Sequence, residues 1–269
     1  QYGALKSPRL DFAVCATGAL VQQVQEATTQ LWWRMQAVKH VRQQNFPEAF
    51  SSFKAAGLHF PWLNNAQAAT GQSWVARAGL LLRDNVMHRG QIERAYLRAI
   101  GTARHEIVIA NAYFLPGRKL RQALVHAAKR GVRVQLLLQG RYEYFMQYHA
   151  ARPVYSQLLA AGIEIFEYTE SFLHAKVAVI DAHHEHPWAT VGSSNLDPFS
   201  LLLAREANVV VADNAFAQQL HSALGHAIAT GADKVLPDAL LARSTFQRGM
   251  DWLALGLMRF AIWLTGRRY

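Results

Sequence analysis

The chain has 269 residues, long enough for one large domain or two small ones, with 51% apolar and 17% charged residues. That balance is that of a globular protein with a substantial core and a leaning towards membrane contact. A net charge of +10 favours anionic partners, whether nucleic acid, anionic lipid or phosphorylated substrates. The single cysteine, Cys15, excludes an internal disulfide and fits a reducing compartment. The sequence opens on Gln1 without a signal-peptide pattern, and a start at Gln is expected of a fragment.

Residues 11–16 read as a strand and 19–24 as the start of a helix, joined by a turn at Gly18. Residues 36–73 are a connector, partly helical and punctuated by Pro47, Gly57, Pro61 and Gly71, with Phe53, Phe60 and Trp62 available for packing or lipid contact. Residues 74–82 read as a strand. Residues 91–102 form an amphipathic helix with Ile92, Ala95, Tyr96 and Ala99 on one stripe. A strand at 106–110, a helix at 119–129 stopped by Gly131, a strand at 132–138, a helix at 153–160 stopped by Gly162 and a strand at 163–168 follow. The alternation of strands and helices predicts an α/β layer fold with a mixed, largely parallel sheet flanked by helices on both faces. Asn111 and Tyr113 follow a buried strand, at the end where such sheets carry their sites.

The densest chemistry lies further on. His174-Ala175-Lys176 precedes an apolar strand, Val177 to Ile180, then Asp181, and after ten more residues Gly192-Ser193-Ser194-Asn195. Side chains two apart on a strand share a face, so His174 and Lys176 project together. A buried cation is costly unless an anion meets it, which a phosphodiester does, and an imidazole nitrogen can attack phosphorus. Residues 188–191 form a strand that pairs with the first and delivers Gly192, Ser193 and Asn195 beside the two cations. Glu206 opens the next strand and is expected to hold the His174 imidazole in one tautomer. His183, His184 and His186 sit in the intervening loop, and their spacing fits no standard zinc pattern, so they read as a solvated hairpin tip. At the C-terminus, residues 250–264 are almost wholly apolar. They are short for a span, and the aromatic residues with Arg267 and Arg268 suit a helix lying in a lipid interface. The residues expected to touch lipid are Trp252, Leu253, Phe260, Trp263, Arg267 and Arg268.

One internal repeat stands out. Asp11-Phe12-Ala13-Val14-Cys15-Ala16 with residues 19–24 aligns with Glu206-Ala207-Asn208-Val209-Val210-Val211 and residues 215–220, with a one-residue gap at the turn. The second copy is the tail of the His-Lys motif. The first is therefore the tail of another such motif, and Asp11 is the histidine-orienting carboxylate of a motif expected just before Gln1.

The pattern H-x-K-x4-D followed by G-S-x-N resembles the phospholipase D superfamily. Together with Asn111-Ala112-Tyr113-Phe114-Leu115-Pro116-Gly117, Gly131-Val132-Arg133-Val134, Phe166-Glu167-Tyr168 and Gly192 to Pro198, it is similar to the C-terminal half of bacterial cardiolipin synthases of the B type. The ten residues between Asp181 and Gly192 are more than that family usually has. The resemblance implies a pseudo-two-fold fold whose first repeat is truncated here. It divides the chain into residues 1–35 (tail of the first repeat), 36–73 (connector), 74–230 (second repeat) and 231–269 (extension with the interface helix). It implies two-step phosphatidyl transfer through a phosphohistidine, with no metal or other cofactor. His174 then acts as acid and base, Lys176, Ser193 and Asn195 hold phosphoryl oxygens with Gly192, Asn111 and Tyr113 around them, and Asp181 completes the motif. Implied partners are anionic phospholipids such as phosphatidylglycerol and the cytoplasmic face of a bacterial inner membrane, without nucleic acid. An N-terminal half of the same protein or a homodimer mate would supply the second histidine. The alternative is a single-motif phosphodiesterase or nuclease acting as a homodimer, which the net charge also suits.

Overall fold

A computed structural model describes residues 8–57, 77–84, 88–143 and 145–264. Phe60, Trp62, Arg267 and Arg268 lie outside the described residues, as does the side chain of Phe53. The chain divides into two compact units, Cys15–Leu80 and Gln1–Val14 with Leu81–Tyr269. In chain order the elements are α1 (Ala19–Arg42), α2 (Phe46–Gly57), β1 (Arg77–Arg83), α3 (Gln91–Thr102), β2 (Glu106–Asn111), α4 (Arg118–Lys129), β3 (Arg133–Gln139), α5 (Phe145–Ala160) and β4 (Glu164–Tyr168). They continue with β5 (Lys176–Ile180), β6 (Trp188–Gly192), α6 (Pro198–Leu202), β7 (Glu206–Ala212), α7 (Asn214–Gly231), β8 (Ala232–Lys234), α8 (Pro237–Leu241) and α9 (Thr245–Leu264).

The smaller unit is built on the helix pair α1 and α2. α1 is one continuous helix of 24 residues. It runs through the repeat–connector boundary expected after residue 35, because nothing between Ala19 and Arg42 breaks a helix: the stretch holds no Gly or Pro.

In the larger unit one sheet has the strand order β1-β7-β6-β5-β2-β3-β4-β8. It is mixed, as an α/β layer fold allows, but it is not largely parallel. β2, β3 and β4 are parallel neighbours. The pairs β2–β5, β5–β6, β6–β7 and β4–β8 are antiparallel. The connections decide this. α4 and α5 give the crossovers that parallel pairs need, whereas β5 reaches β6 through the short loop 181–187, which carries no helix and can only reverse the chain.

Side-chain alternation along the strands separates two cores. Ile107, Ile109, Val134, Leu136 and Leu138 pack with α3, α4, α5 and α9 on one face. Val108, Ala110, Leu137, Val177 and Val179 pack with α7 on the other. Each of these strands is therefore covered on both faces, which is why they read as continuous apolar runs. Gly131 and Gly162 stop α4 and α5 with φ of +90° and +83°, a backbone that glycine adopts without strain. α5 begins before the expected start and carries Pro153 inside it. Proline forfeits one helical hydrogen bond there. The preceding turns hold because Ala150 is fully buried and Met146 packs on the core.

α9 also differs from expectation. Ala254, Leu255, Met258 and Ile262 are buried in the first core, against α5. Trp252, Leu253, Leu257, Phe260 and Trp263 point outward and are exposed. The helix is therefore docked on the protein's own core along one stripe and bare along the other. Deleting it would uncover core. No helix among the described residues is long and apolar enough to cross a membrane.

The two stripes separate in a stability measurement. Leu255→Ala, at 4% exposure, should lower the unfolding free energy by about 2–5 kcal/mol in urea, as buried Leu→Ala changes do. Leu257→Ala, at 49% exposure, should change it by about 0.5 kcal/mol or less. Equal losses would contradict the docking.

Candidate active site

The His-Lys pair sits where β5 begins, in the middle of the sheet. β2 runs antiparallel beside it, with Asn111 opposite Lys176. Residues 8–11 lie against the approach to β5. The Leu10 amide donates to the Phe172 carbonyl at 2.9 Å, and the His174 amide donates to the Leu10 carbonyl at 2.8 Å. Among the described residues, the strand pairing this segment makes is a parallel bridge, Leu10 to Leu173. The strand expected at 11–16 is thus an extended stretch without a ladder, held by Phe12 and Val14 packing on the second core.

This placement brings Asp11 to the imidazole. His174 Nδ1 lies 2.7 Å from Asp11 Oδ2. An ionised carboxylate only accepts, so Nδ1 carries the proton and Nε2 is left free for chemistry. Burial works against ionisation of Asp11, but the hydrogen bonds from His174 and the Phe12 amide, with the charges of His174 and Lys176, outweigh it and hold the carboxyl below its usual value. Both side chains stay open to solvent, at 43% for His174 and 53% for Asp11.

Lys176 is 6% exposed, and its ammonium donates to the His174 carbonyl at 2.6 Å. Burial pushes its pKa down, and the carboxylates of Asp11, Glu206 and Glu143 pull it back. Those carboxylates surround a cation that one backbone acceptor satisfies only in part.

Gly192 faces Asn208 across the β6–β7 pair. A Cβ there would stand 2.3 Å from the Asn208 side chain and 2.5 Å from the Ala207 carbonyl, so only glycine fits. The Ser193 hydroxyl donates to Glu206 and accepts from the Ala207 amide. Asn195, 9% exposed, accepts from the Tyr113 amide at 3.4 Å. Asn111 accepts from the Leu196 amide at 3.1 Å, and its buried Nδ2 has no hydrogen-bond partner among the described residues. Asp197 caps α6 by accepting from the Phe199 and Ser200 amides, with Pro198 next in line. The sheet thus gathers His174, Lys176, Asn195, Asn111, Ser193 and Glu206 at one end of β5 and β6. The Tyr113 hydroxyl points to Glu143, donating at 2.8 Å, and Arg9 meets the same carboxylate at 3.6 Å. Sequence reasoning missed Glu143 and Arg9, since each is a lone charge in an unpatterned stretch.

Two expectations need correction. Glu206 does not orient His174. Its partner is the Ser193 hydroxyl, and Asp11, from the other copy of the repeat, takes the imidazole. Burial raises the Glu206 pKa, with Ser193 and Ser200 acting against the rise. Asp181 is not at the site either. It sits at the far end of β5 in a left-handed conformation, φ +50°, accepting from the Arg104, His105 and Glu106 amides at 2.9 Å each. It satisfies donors at the start of β2, which pairs with β5. The histidine loop is tied down rather than merely solvated. His183 Nε2 is 3.4 Å from His221 Nδ1, His221 meets Glu106 at 2.7 Å, and His184 stacks on His105. Among the described residues no group of three or more His, Cys, Asp or Glu is arranged to hold a metal ion.

Asp181→Ala should cost about 2 kcal/mol or more, because three amides lose an ionised acceptor. A melt shifted no further than a surface control would refute that structural role. For Asp11 the sign follows from its lowered pKa: the stabilisation is complete above the unfolded value near pH ~3.9 and is lost as pH falls through the lower folded value. The stability difference between the parent and Asp11→Asn should therefore shrink as pH falls below about 4. Urea titrations across that range check it, and a difference that grows on acidification would reverse the assignment.

Comparison with known proteins agrees with this geometry. The family model described as "Cardiolipin synthase, PLD-like domain" matches residues 96–227. Cardiolipin synthase B of Escherichia coli (strain K12) is 44% identical over 184 residues, which cover 68% of this chain and 44% of that protein. The minor cardiolipin synthase of Bacillus subtilis (strain 168) is 31% identical over 170 residues, covering 63% and 41%. The chain therefore spans less than half the length of these curated relatives. Phosphatidylserine synthase of Haemophilus influenzae Rd KW20 has a similar fold, with a TM-score of 0.55 at 12% identity, covering 80% of this chain and 54% of that one. From the matched sequence, the fold and the H-x-K and G-S-x-N residues gathered at one strand end, the chain belongs to the phospholipase D superfamily and carries a domain of the cardiolipin synthase type.

Proposed function

We propose that this chain supplies one half of the active site of a phosphatidyltransferase that makes cardiolipin or a closely related phospholipid. The observation that carries the reading is the Asp11–His174 hydrogen bond beside the buried Lys176. It leaves Nε2 free beside a buried cation, and the named relatives are cardiolipin synthases. The bare aromatic stripe of α9 suits work at a membrane surface and favours lipid over nucleic acid as substrate.

Two histidines face one another across the phosphorus. A nitrogen of the second attacks the phosphodiester, and an N–P bond forms as the P–O bond to the departing glycerol breaks. The imidazolium of His174 gives its Nε2 proton to that alkoxide. The neutral imidazole then takes the proton of the incoming alcohol, whose oxygen displaces the phosphoryl group from the second histidine. Asp11 holds the Nδ1 proton throughout and stabilises the imidazolium. Lys176, Asn195 and Asn111 stand where the phosphoryl oxygens gather charge. The repeat pairs Asp11 with Glu206, and Asp11 serves the histidine of the other copy. Glu206 by the same rule serves the second histidine, with Ser193 as its present partner. That histidine comes from a longer polypeptide or from a second copy of the chain.

The test is the complete protein incubated with labelled phosphatidylglycerol and analysed by lipid separation. His174→Ala should lower cardiolipin formation by about 10²–10⁴-fold, the range for loss of a general acid–base group. Activity within a factor of about two of the parent would refute the role. EDTA should leave the parent rate unchanged, and a loss restored by zinc would overturn the metal-free reading.

A further inference from the structure

A second cleft lies away from the His-Lys pair, between α5, α8 and α9. It measures about 450 Å³, and its lining includes Arg152, Arg243 and Arg248 together with Leu159, Leu240 and Trp252. That volume falls in the range of sites for small organic ligands. Arg152 also lines the smaller cavity beside Tyr113 and Asp197 at the candidate active site, so the two recesses share a wall.

The charges do not cancel. Arg152, 7% exposed, pairs with Glu167 at 2.6 Å and stacks on Tyr148 and Tyr155. Its Nε is nonetheless buried without a hydrogen-bond partner among the described residues, a cost that structures rarely leave standing. Among the described residues lining the cleft, Asp251 is the one that is acidic. It is already taken, by two bonds from Arg243 and one contact with His149 at 2.6 Å. Arg248 thus offers an exposed guanidinium that makes no ion pair among the described residues, beside the apolar Leu159, Leu240 and Trp252.

We propose that this cleft binds an anionic glycerophospholipid, with its phosphate on the arginines and the start of its acyl chains along Leu159, Leu240 and Trp252. Free phosphate would leave the apolar wall uncovered, and a zwitterionic headgroup would bring its own cation to Arg248. Trp252 belongs both to the cleft and to the bare stripe of α9, so a lipid in the layer beneath α9 reaches the arginines without leaving the interface. The choice of ligand rests on the phospholipid reading above. The site itself does not need the His-Lys pair, so it can be tested in a binding assay that no loss of transferase chemistry affects.

The experiment is calorimetric titration of the full chain with dihexanoyl phosphatidylglycerol below its micellar concentration. Dihexanoyl phosphatidylcholine and inorganic phosphate serve as the comparison arms. Saturable binding of the anionic lipid alone is expected. Arg248→Glu should weaken it about tenfold or more, as loss of a hydrogen bond to a charged group does. Arg259→Glu reverses an exposed charge on the same helix outside the cleft and should leave the affinity unchanged. Leu240→Trp fills the cleft without changing charge and should also abolish binding. Equal losses in Arg248→Glu and Arg259→Glu would mean general attraction to a basic surface, and equal binding of inorganic phosphate would mean an anion site with no lipid in it. Either result overturns the proposal, as does the absence of binding by a protein whose melting temperature matches the parent's.

Discussion

The site depends on a hydrogen bond between residues 163 positions apart in the chain. Asp11 and His174 meet because residues 8–11 pair with the backbone of residues 172–174, through amides that would otherwise lack acceptors at the rim of the sheet. Ser171 adds a side-chain bond to the Pro8 carbonyl at 2.7 Å. Backbone pairing sets the position, and the carboxylate then sets the tautomer. The order matters, because a carboxylate with 53% exposure could not hold a mobile imidazole by its charge alone. The rigidity comes from the neighbouring core, where Leu173 and Ala175 are buried on either side of His174.

Lys176 is the second constraint. A primary ammonium at 6% exposure has its pKa pushed down by burial, and the carboxylates of Asp11, Glu206 and Glu143, from separate parts of the chain, act against that fall. The site is therefore a balanced cluster. A phosphodiester entering it brings a further negative charge to a cation already shared, which binds it without making the pocket a strong general sink for anions.

Much of this was legible in sequence, and the pattern of what was not is physical. The helix at α3 was readable to the residue because its apolar stripe is uninterrupted. The strands at β2, β3, β5 and β6 were readable because burial on both faces leaves an unbroken apolar run. Parallel pairing was over-read, since strand–helix alternation ends at β4 and the strands β5, β6 and β7 that follow pair antiparallel. α5 was cut short at Pro153, where tertiary packing overrides a local breaker. In the site, the short-range spacing of His174, Lys176, Gly192 and Asn195 carried through, because two adjacent strands convert spacing into proximity. Asp181 failed as a site residue because five strand residues lie between it and Lys176's end of β5. The choice between Asp11 and Glu206 as the carboxylate for His174 could not be made from spacing at all, since the repeat makes them equivalent and only the fold crosses them over.

That equivalence is where the repeat becomes chemically informative. Asp11 and Glu206 occupy matching positions, yet burial with its neighbours leaves one carboxyl below its ordinary pKa and the other above it. Desolvation opposes ionisation of both. At Asp11 it is overcome by an imidazole, a backbone amide and the charge of Lys176. At Glu206 the hydroxyls of Ser193 and Ser200 and the charge of Lys176 act in the same direction and do not overcome it, and the buried carboxyl of Asp197 adds to the rise. A hydroxyl hydrogen-bonds either protonation state of a carboxyl, whereas an imidazolium strongly favours the ionised one. On the proposed reading, the second histidine is the group that would bring Glu206 into line with Asp11. The two halves of the site would then be electrostatically alike while differing in which imidazole attacks phosphorus.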